Sequence, residues 1–260
     1  MQTLPYIFSF IFGAIVGSFL NVVILRLPDK MQSIVLPGSR CPKCNTPLHW
    51  YDNIPLLSYI ILGAKCRNCN ASISLQYPFV ELCMALLTVS LFQRFGLSFE
   101  FTYYFLFLAA LLVITFIDLE HQIIPDIISL PGIIIGFAGS FFCIQVSWQQ
   151  SVLGILIGGG LLYAIALGYY LLTKRDGMGG GDIKLLAMIG AFLGWQSLLF
   201  VVFASSLIGS IIGISSIFLQ GKDSRSKIPF GPFLALSAMS FLFFQKTIFT
   251  LWNLYLSSMG

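Results

Sequence analysis

The pattern of apolar and polar positions divides the 260-residue chain into eight long apolar runs separated by polar segments. Most runs have close to the roughly 20 residues that an α-helix needs to cross the hydrocarbon core of a bilayer. Because a spanning segment must satisfy its own backbone hydrogen bonds, each run is predicted to be a transmembrane helix. The sixth run is short, which is compatible with a tilted or re-entrant helix or with a merger with the seventh. The runs occupy residues 4–26, 78–95, 101–117, 127–146, 151–173, 183–196, 198–219 and 229–251.

Composition extends this picture to the whole chain. Hydrophobic residues make up 57% of the sequence and charged residues only 9%, whereas a soluble domain carries about 25% charged residues. We therefore expect an all-α polytopic protein with about eight transmembrane helices in a lipid bilayer, rather than a soluble domain with an anchor. The net charge is only +4 and no basic patch stands out, so nucleic acid is not an expected partner.

The positions of the basic residues predict the orientation. Twelve of the fourteen lie in the polar segments that follow the first, third, fifth and seventh runs, and only Arg94 and Lys246 lie elsewhere. Because cytoplasmic segments carry an excess of Lys and Arg, these segments are predicted to be cytosolic, with both termini outside. Arg26 and Lys30 follow the first run and no basic residue precedes it, the reverse of a secretory signal, so this run should remain as a helix. The cytosolic segments are 26–77, 118–126, 174–184 and 220–228.

Four cysteines in the first polar segment indicate a metal site. "CPKC" and "CRNC" are two C-x-x-C pairs, an arrangement that suits tetrahedral zinc. Four protein ligands leave no open position, so the zinc is predicted to be structural. Two disulfides or a redox pair are the alternatives, and a cytosolic location argues against stable disulfides. The predicted ligands are Cys41, Cys44, Cys66 and Cys69.

Small residues in the fifth run predict close helix packing. In "GILIGGG", Gly154 and Gly158 are four positions apart, the spacing at which small residues let two membrane helices approach each other. We therefore interpret these glycines as packing residues rather than as part of a functional site.

The few acidic residues are concentrated beside the apolar runs. Asp118 ends the run "FLFLAALLVITFID", Glu120 and Asp126 follow it, and Asp182 follows "GMGGG". A carboxylate in or near hydrocarbon is costly, so such residues are functional candidates. Two facing carboxylates tend to share one proton. One can then take a proton from water while the other donates to a peptide carbonyl, which is the chemistry of an aspartic protease.

The glycines Gly179, Gly180 and Gly181 precede Asp182. A backbone without Cβ atoms allows another chain to approach closely, so these glycines are predicted to admit an extended substrate beside Asp182. An equally weighted alternative is a flexible loop in which Asp182 caps the next helix. Lys184 is a candidate partner for Asp182 or for an acidic substrate group, and it is also a candidate positive-inside anchor.

These motifs together resemble those of the bacterial type IV prepilin peptidases, and the resemblance covers nearly the whole chain. It rests on "GSFLNVVILRLP", the two cysteine pairs, "DNIPLLSY", "YPFVEL", "FIDLEHQIIPD" and "GMGGGDIKLLAMIGAFLGW". The glycine–aspartate element is also similar to that of the presenilin-like GxGD proteases. The resemblance implies that Asp118 and Asp182 are the catalytic pair, supported by the glycines, Lys184 and Asp126. It implies cleavage of a short basic leader from prepilins and pseudopilins at the bacterial inner membrane, usually between a glycine and a phenylalanine.

The resemblance further implies N-methylation of the new amino terminus with S-adenosylmethionine. The first helix (1–27), the cytosolic zinc-binding loop (28–77) and the second run (78–95) are expected to serve this reaction, and 101–260 to form the peptidase domain. Glu81 is the acidic residue of the second run. It is a candidate for holding the cationic amino terminus or the sulfonium of the methyl donor, and the alternative is a carboxylate at a helix end near the interface.

Two further functions fit parts of the sequence. A transporter could use the membrane carboxylates as a proton relay, although the candidates lie at the cytosolic edge and no inverted repeat is apparent. A membrane scaffold could use the zinc loop to bind partners, but it would leave Asp118 and Asp182 without a role.

Overall fold

The computed structural model describes residues 3–29, 33–36, 38–174, 179–220 and 229–259. Helices make up nearly all of the regular structure in these residues, beside two isolated β-bridges in the cysteine region. The helices are α1 (Leu4–Arg26), α2 (Leu57–Ile61), α3 (Gln76–Phe95), α4 (Phe99–His121), α5 (Asp126–Gly139), α6 (Trp148–Thr173), α7 (Gly180–Leu193), α8 (Gln196–Gln220) and α9 (Gly231–Met259), with a 3₁₀ helix at Trp50–Asn53. The basic residues Lys30, Arg175, Lys222, Arg225 and Lys227, which contribute to the predicted orientation, lie outside the described residues.

The prediction of an all-helical polytopic membrane protein is confirmed, and the number of spans is refined. Six described helices are long and apolar enough to cross a membrane: α1, α3, α4, α6, α8 and α9. The fourth and sixth predicted spans correspond to α5 and α7, which have 14 residues each. At 1.5 Å per residue each measures about 21 Å, short of the roughly 30 Å hydrocarbon core. Gly194 follows α7 directly with a φ of +77°, a conformation outside the helical region that glycine adopts more readily than other residues.

The chain forms two compact units, Met1–Ile117 and Asp118–Gly260. In the first unit α1 packs along α3. The approach is so close at Gly17 that a Cβ there would lie 2.7 Å from the Cα of Glu81. A larger residue at Gly17 would therefore push α1 away from the part of α3 that carries Glu81.

In the second unit α7 packs against α5, α6 and α9. Every residue from Leu185 to Leu193 is buried. The sixth apolar run is therefore apolar because it is buried within the protein. The predicted packing role of Gly154 and Gly158 is confirmed, because both face the α7 backbone, Gly154 at Gly190 and Gly158 at the carbonyl of Leu186. These contacts fix α7, and with it the position of Asp182 in its first turn.

Candidate functional site

Asp118 and Asp182 lie at the ends of two helices in the second unit. Asp118 occupies the last turn of α4 and is only 5% exposed. Its Oδ2 accepts a hydrogen bond of 3.0 Å from the backbone N–H of Gly231, the first residue of α9. The positive end of the α9 dipole is thereby directed at this carboxylate.

Asp182 lies in the first turn of α7, outside the six candidate spans. Burial raises the pKa of Asp182 to about 6, and the charge of Asp118 adds to this rise. Among the residues that the structure describes, no side chain or backbone N–H donates to the Asp182 carboxylate. The charges of the two predicted aspartates therefore interact in the structure, and interacting like charges favour a shared proton.

The glycines beside Asp182 differ from one another in their surroundings. A Cβ at Gly181 would lie 2.8 Å from the Cβ of Ile124, whereas a Cβ at Gly180 would meet open space. A Cβ at Gly231 would likewise lie 3.2 Å from Cδ1 of Ile124. The Ile124 side chain therefore lies close to the first turns of both α7 and α9. The N-cap residue of α7 is Gly179, and no side chain forms a capping hydrogen bond there. The alternative in which Asp182 caps α7 is therefore not observed.

Lys184 pairs with Asp126 and not with Asp182. Its Nζ lies 2.7 Å from both carboxylate oxygens of Asp126, which joins the second turn of α7 to the first residue of α5. Both side chains are partly exposed, and pairs of this kind contribute at most about 1 kcal/mol. The contact therefore aligns two helices beside the aspartate pair. Because Lys184 and Asp126 are 58 positions apart in the sequence, no local sequence pattern indicates that they pair.

The four predicted zinc ligands form one cluster in the first unit. All four Sγ atoms lie within 4.8 Å of one another, with Cys41–Cys69 at 3.8 Å and Cys44–Cys66 at 4.0 Å. Sulfurs bound tetrahedrally to zinc at 2.3 Å are about 3.8 Å apart. The cluster therefore fits a metal ion of that size and geometry.

The two cysteine pairs adopt the same local fold. In the first, the N–H of Cys41 donates to Thr46 and the N–H of Asn45 donates to Cys41. In the second, Cys66 donates to Ala71 and Asn70 donates to Cys66. Asn45 and Asn70 both have positive φ, near 55°, which asparagine tolerates better than most residues.

Hydrogen bonds lower the pKa of two thiols in this cluster. Hydrogen bonds from the side chain and backbone of Thr46 lower the pKa of Cys44 to about 6. The backbone N–H groups of Cys69 and Asn68 lower the pKa of Cys66. Because the thiolate is the metal ligand, these contacts favour the metal-binding state of Cys44 and Cys66. At Cys69 a hydrogen bond from the Ala71 backbone lowers the pKa, but burial and the neighbouring sulfurs outweigh it and raise the pKa to about 11.

Glu81 is a buried carboxylate of α3, 7% exposed. Its Oε2 accepts a 2.8 Å hydrogen bond from the backbone N–H of Leu56, and it is also hydrogen-bonded to the Ser18 side chain. Leu56 has a φ of +61°, which is strained for a residue with a branched side chain. Glu81 thus ties the loop before α2 to both α1 and α3. The stretch "DNIPLLSY" marks this loop in the sequence, but nothing in it indicates Glu81 as the partner.

A cavity of about 860 Å³ opens beside this loop. Its walls include Ala14, Ser18 and Arg26 on one face of α1 and the segment 53–57. The volume is in the range of small-molecule sites. Glu81 lies behind the wall, since Ser18 and Leu56, its two partners, both line the cavity.

Known proteins are similar to this chain over most of its length. Residues 11–95 match the bacterial peptidase A24 N-terminal domain, and residues 105–214 match the type IV leader peptidase family. A Pseudomonas aeruginosa prepilin leader peptidase/N-methyltransferase is 37% identical over 88% of this chain and 87% of the relative. A prepilin leader peptidase/N-methyltransferase of Aeromonas hydrophila is 37% identical over 96% of this chain and 95% of the relative. No solved structure matches the chain. With relatives this similar along nearly their whole lengths, the chain belongs to the type IV leader peptidase family.

Proposed function

We propose that the protein removes the leader from prepilins and pseudopilins and N-methylates the new amino terminus, at the cytosolic face of the bacterial inner membrane. The observation that carries the peptidase half is the interacting pair Asp118 and Asp182 at two helix ends. Family membership and the names of the relatives support both halves. They also remove the reason to prefer a transporter.

Asp118 and Asp182 are the proposed catalytic residues for cleavage. One carboxylate takes a proton from water as the water oxygen attacks the scissile carbonyl carbon, and the other, protonated, donates to the carbonyl oxygen. The C–N bond of the resulting intermediate then breaks while the leaving nitrogen takes up a proton. Asp182, with a pKa near 6, is suited to hold the shared proton. Gly231 keeps Asp118 oriented through its N–H.

The depth of the aspartate pair suits such a substrate. Asp118 lies in the last turn of the candidate span α4, and Asp182 lies in the first turn of α7. A prepilin with its basic leader in the cytosol and its apolar helix in lipid would present the scissile bond at this interface. Single-cysteine labelling tests the orientation: in the proposed topology a cysteine at Gln149 reacts with an impermeant reagent from outside, and one at Lys43 does not.

Zinc is the proposed metal of the four-cysteine cluster, with a structural role. Cys41, Cys44, Cys66 and Cys69 supply four sulfurs at tetrahedral spacing, which leaves no position for a reacting water. The zinc would hold the two hairpins of the cysteine region together.

S-adenosylmethionine is the proposed methyl donor, and it would supply an activated methyl group on a sulfonium. The cavity of the first unit is large enough for it, and Ser18, Arg26 and Asn53 provide polar groups in the wall. Glu81 is proposed to serve this reaction through the wall, since its carboxylate already binds Leu56.

The direct test uses purified protein in lipid with a peptide that carries a basic leader, a Gly–Phe junction and an apolar segment. A leader-sized loss of mass followed by a gain of one methyl group is expected. If the peptide stays intact while the protein is folded, the peptidase proposal is wrong.

A further inference from the structure

Asp52 and Arg67 form a two-pronged ion pair in the first unit. Arg67 Nη2 donates to Asp52 Oδ1 at 2.7 Å, and Nε donates to the two carboxylate oxygens at 3.1 and 3.2 Å. The Asp52 side chain is 5% exposed, and the Arg67 side chain is 55% exposed. Forked guanidinium–carboxylate contacts fix orientation more strongly than a lysine can.

Arg67 is held in place by its own surroundings. It lies between Cys66 and Cys69, where the corresponding position of the other cysteine pair is Pro42. Its guanidinium lies 5.5 Å from the Tyr51 ring centroid, and Tyr51 stacks on His49 at 5.1 Å. The second cysteine pair therefore holds a guanidinium against Asp52 and Tyr51, at the position where the first pair has a proline.

Asp52 is directly connected to the cavity wall. It belongs to the 3₁₀ helix Trp50–Asn53, and residues 53–57 line the cavity. Glu81 holds the far end of this segment through the strained Leu56. Backbone strain persists only where the surroundings over-determine it, so both attachments are needed to keep the wall in this shape.

We propose that Arg67 is a positioning residue for methyl transfer: through Asp52 it holds the 53–57 wall of the cavity in which the reaction occurs. This inference rests on the proposed methyltransferase function. Arg67 is not one of the residues that line the cavity. The second cysteine pair thus serves methyl transfer through the placement of a guanidinium as well as through zinc binding.

The test compares Arg67→Ala, Arg67→Lys and Asp52→Asn in the full-length protein, with Lys43→Ala as a control. Lys43 is an exposed basic residue of the first cysteine pair. Four quantities are measured: methyl transfer to a pre-cleaved peptide, leader cleavage, zinc content, and calorimetric binding of S-adenosylhomocysteine. Arg67→Ala should lower kcat/KM for methyl transfer by about 10- to 100-fold, the range expected for loss of a charged hydrogen bond. Leader cleavage should change less than about twofold, and zinc should be retained.

Arg67→Lys should recover only part of the activity, because lysine keeps the charge but loses the fork. Asp52→Asn should resemble Arg67→Ala, and Lys43→Ala should resemble the wild type. Unchanged methyl transfer in Arg67→Ala would overturn the inference, as would parallel loss of zinc and of both activities, which is the result for a residue that only stabilises the metal site. Wild-type protein that neither methylates nor binds S-adenosylhomocysteine would overturn the methyltransferase function, and this inference with it.

Discussion

Glu81 in the first unit and Asp182 in the second are both acidic residues beside apolar runs, yet their surroundings differ. Glu81 accepts a hydrogen bond from Leu56 and is also bonded to Ser18. Asp182 faces the charge of Asp118 and, within the described part of the chain, receives no donor. A carboxylate supplied with donors is suited to hold structure, and one that opposes a second carboxylate is suited to exchange protons. From this comparison we propose wall positioning for Glu81 and acid–base chemistry for Asp182.

The largest expected effect is on leader cleavage by Asp118→Asn. The substitution removes one of two groups that act as a unit, so cleavage should fall about 10³-fold or more. Asp126→Asn is the matched control, because that aspartate is paired with Lys184 and should lower cleavage much less. Rates are measured on purified protein with a prepilin-like peptide. Equal losses in the two variants would contradict a special role for Asp118.

A smaller effect is expected from Gly231→Ala. A Cβ at this position would lie 2.6 Å from Asp118 Oδ2, so the carboxylate must move away from its backbone donor. Cleavage should fall about 10- to 100-fold, since a misplaced catalytic group loses orientation. Gly160→Ala controls for the glycine change, because a Cβ there meets nothing within 4 Å. If the two variants cleave equally well, the Gly231 contact has no catalytic importance.

Cys41→Ser should affect the first unit more than the second. Loss of one sulfur should lower zinc from about one ion per chain to well below that, and methyl transfer should fall several-fold. Cys83→Ser is the control, since Cys83 is outside the cluster. Metal content is measured by mass spectrometry. A full complement of zinc in Cys41→Ser would exclude Cys41 as a ligand.

The smallest effect concerns stability and pH. The pKa of Asp182 is about 6 in the folded protein and about 3.9 in an unfolded chain. Between these two pH values the folded state holds a proton on Asp182 that the unfolded chain releases. The favourable contribution of this proton to folding stability is therefore complete below about pH 4 and is lost as pH rises through about 6. Asp182→Asn should raise the thermal midpoint by a few degrees at pH 8 and by less at pH 5. An increase that is the same at both pH values would contradict the raised pKa.

Much of this architecture is predictable from sequence because the signals are local. Continuous apolar runs predicted the helices, and the C-x-x-C spacing predicted a cluster that four sulfurs do form. The length of α7 was less predictable, because burial against α5, α6 and α9 makes a short helix as apolar as a spanning one.

Partners distant in sequence could not be predicted. Lys184 was a candidate partner of Asp182, but it pairs with Asp126. By charge alone, either carboxylate could pair with the lysine. The Glu81–Leu56 and Arg67–Asp52 contacts depend on how loops fold back. No periodicity indicates such contacts, so the Arg67–Asp52 pair and the Leu56 partner of Glu81 were not predicted. The catalytic roles of Asp118 and Asp182 stay predictions.

The most direct test places Asp182→Asn and Glu81→Gln in the same two assays, leader cleavage and methyl transfer to a pre-cleaved peptide. Asp182→Asn should abolish cleavage and leave methyl transfer within about twofold of wild type. Glu81→Gln should lower methyl transfer about 10-fold or more and leave cleavage intact, since an amide is a weaker acceptor for the Leu56 N–H. Normal cleavage by Asp182→Asn, or equal loss of both activities in both variants, would contradict the division of labour between the two carboxylates.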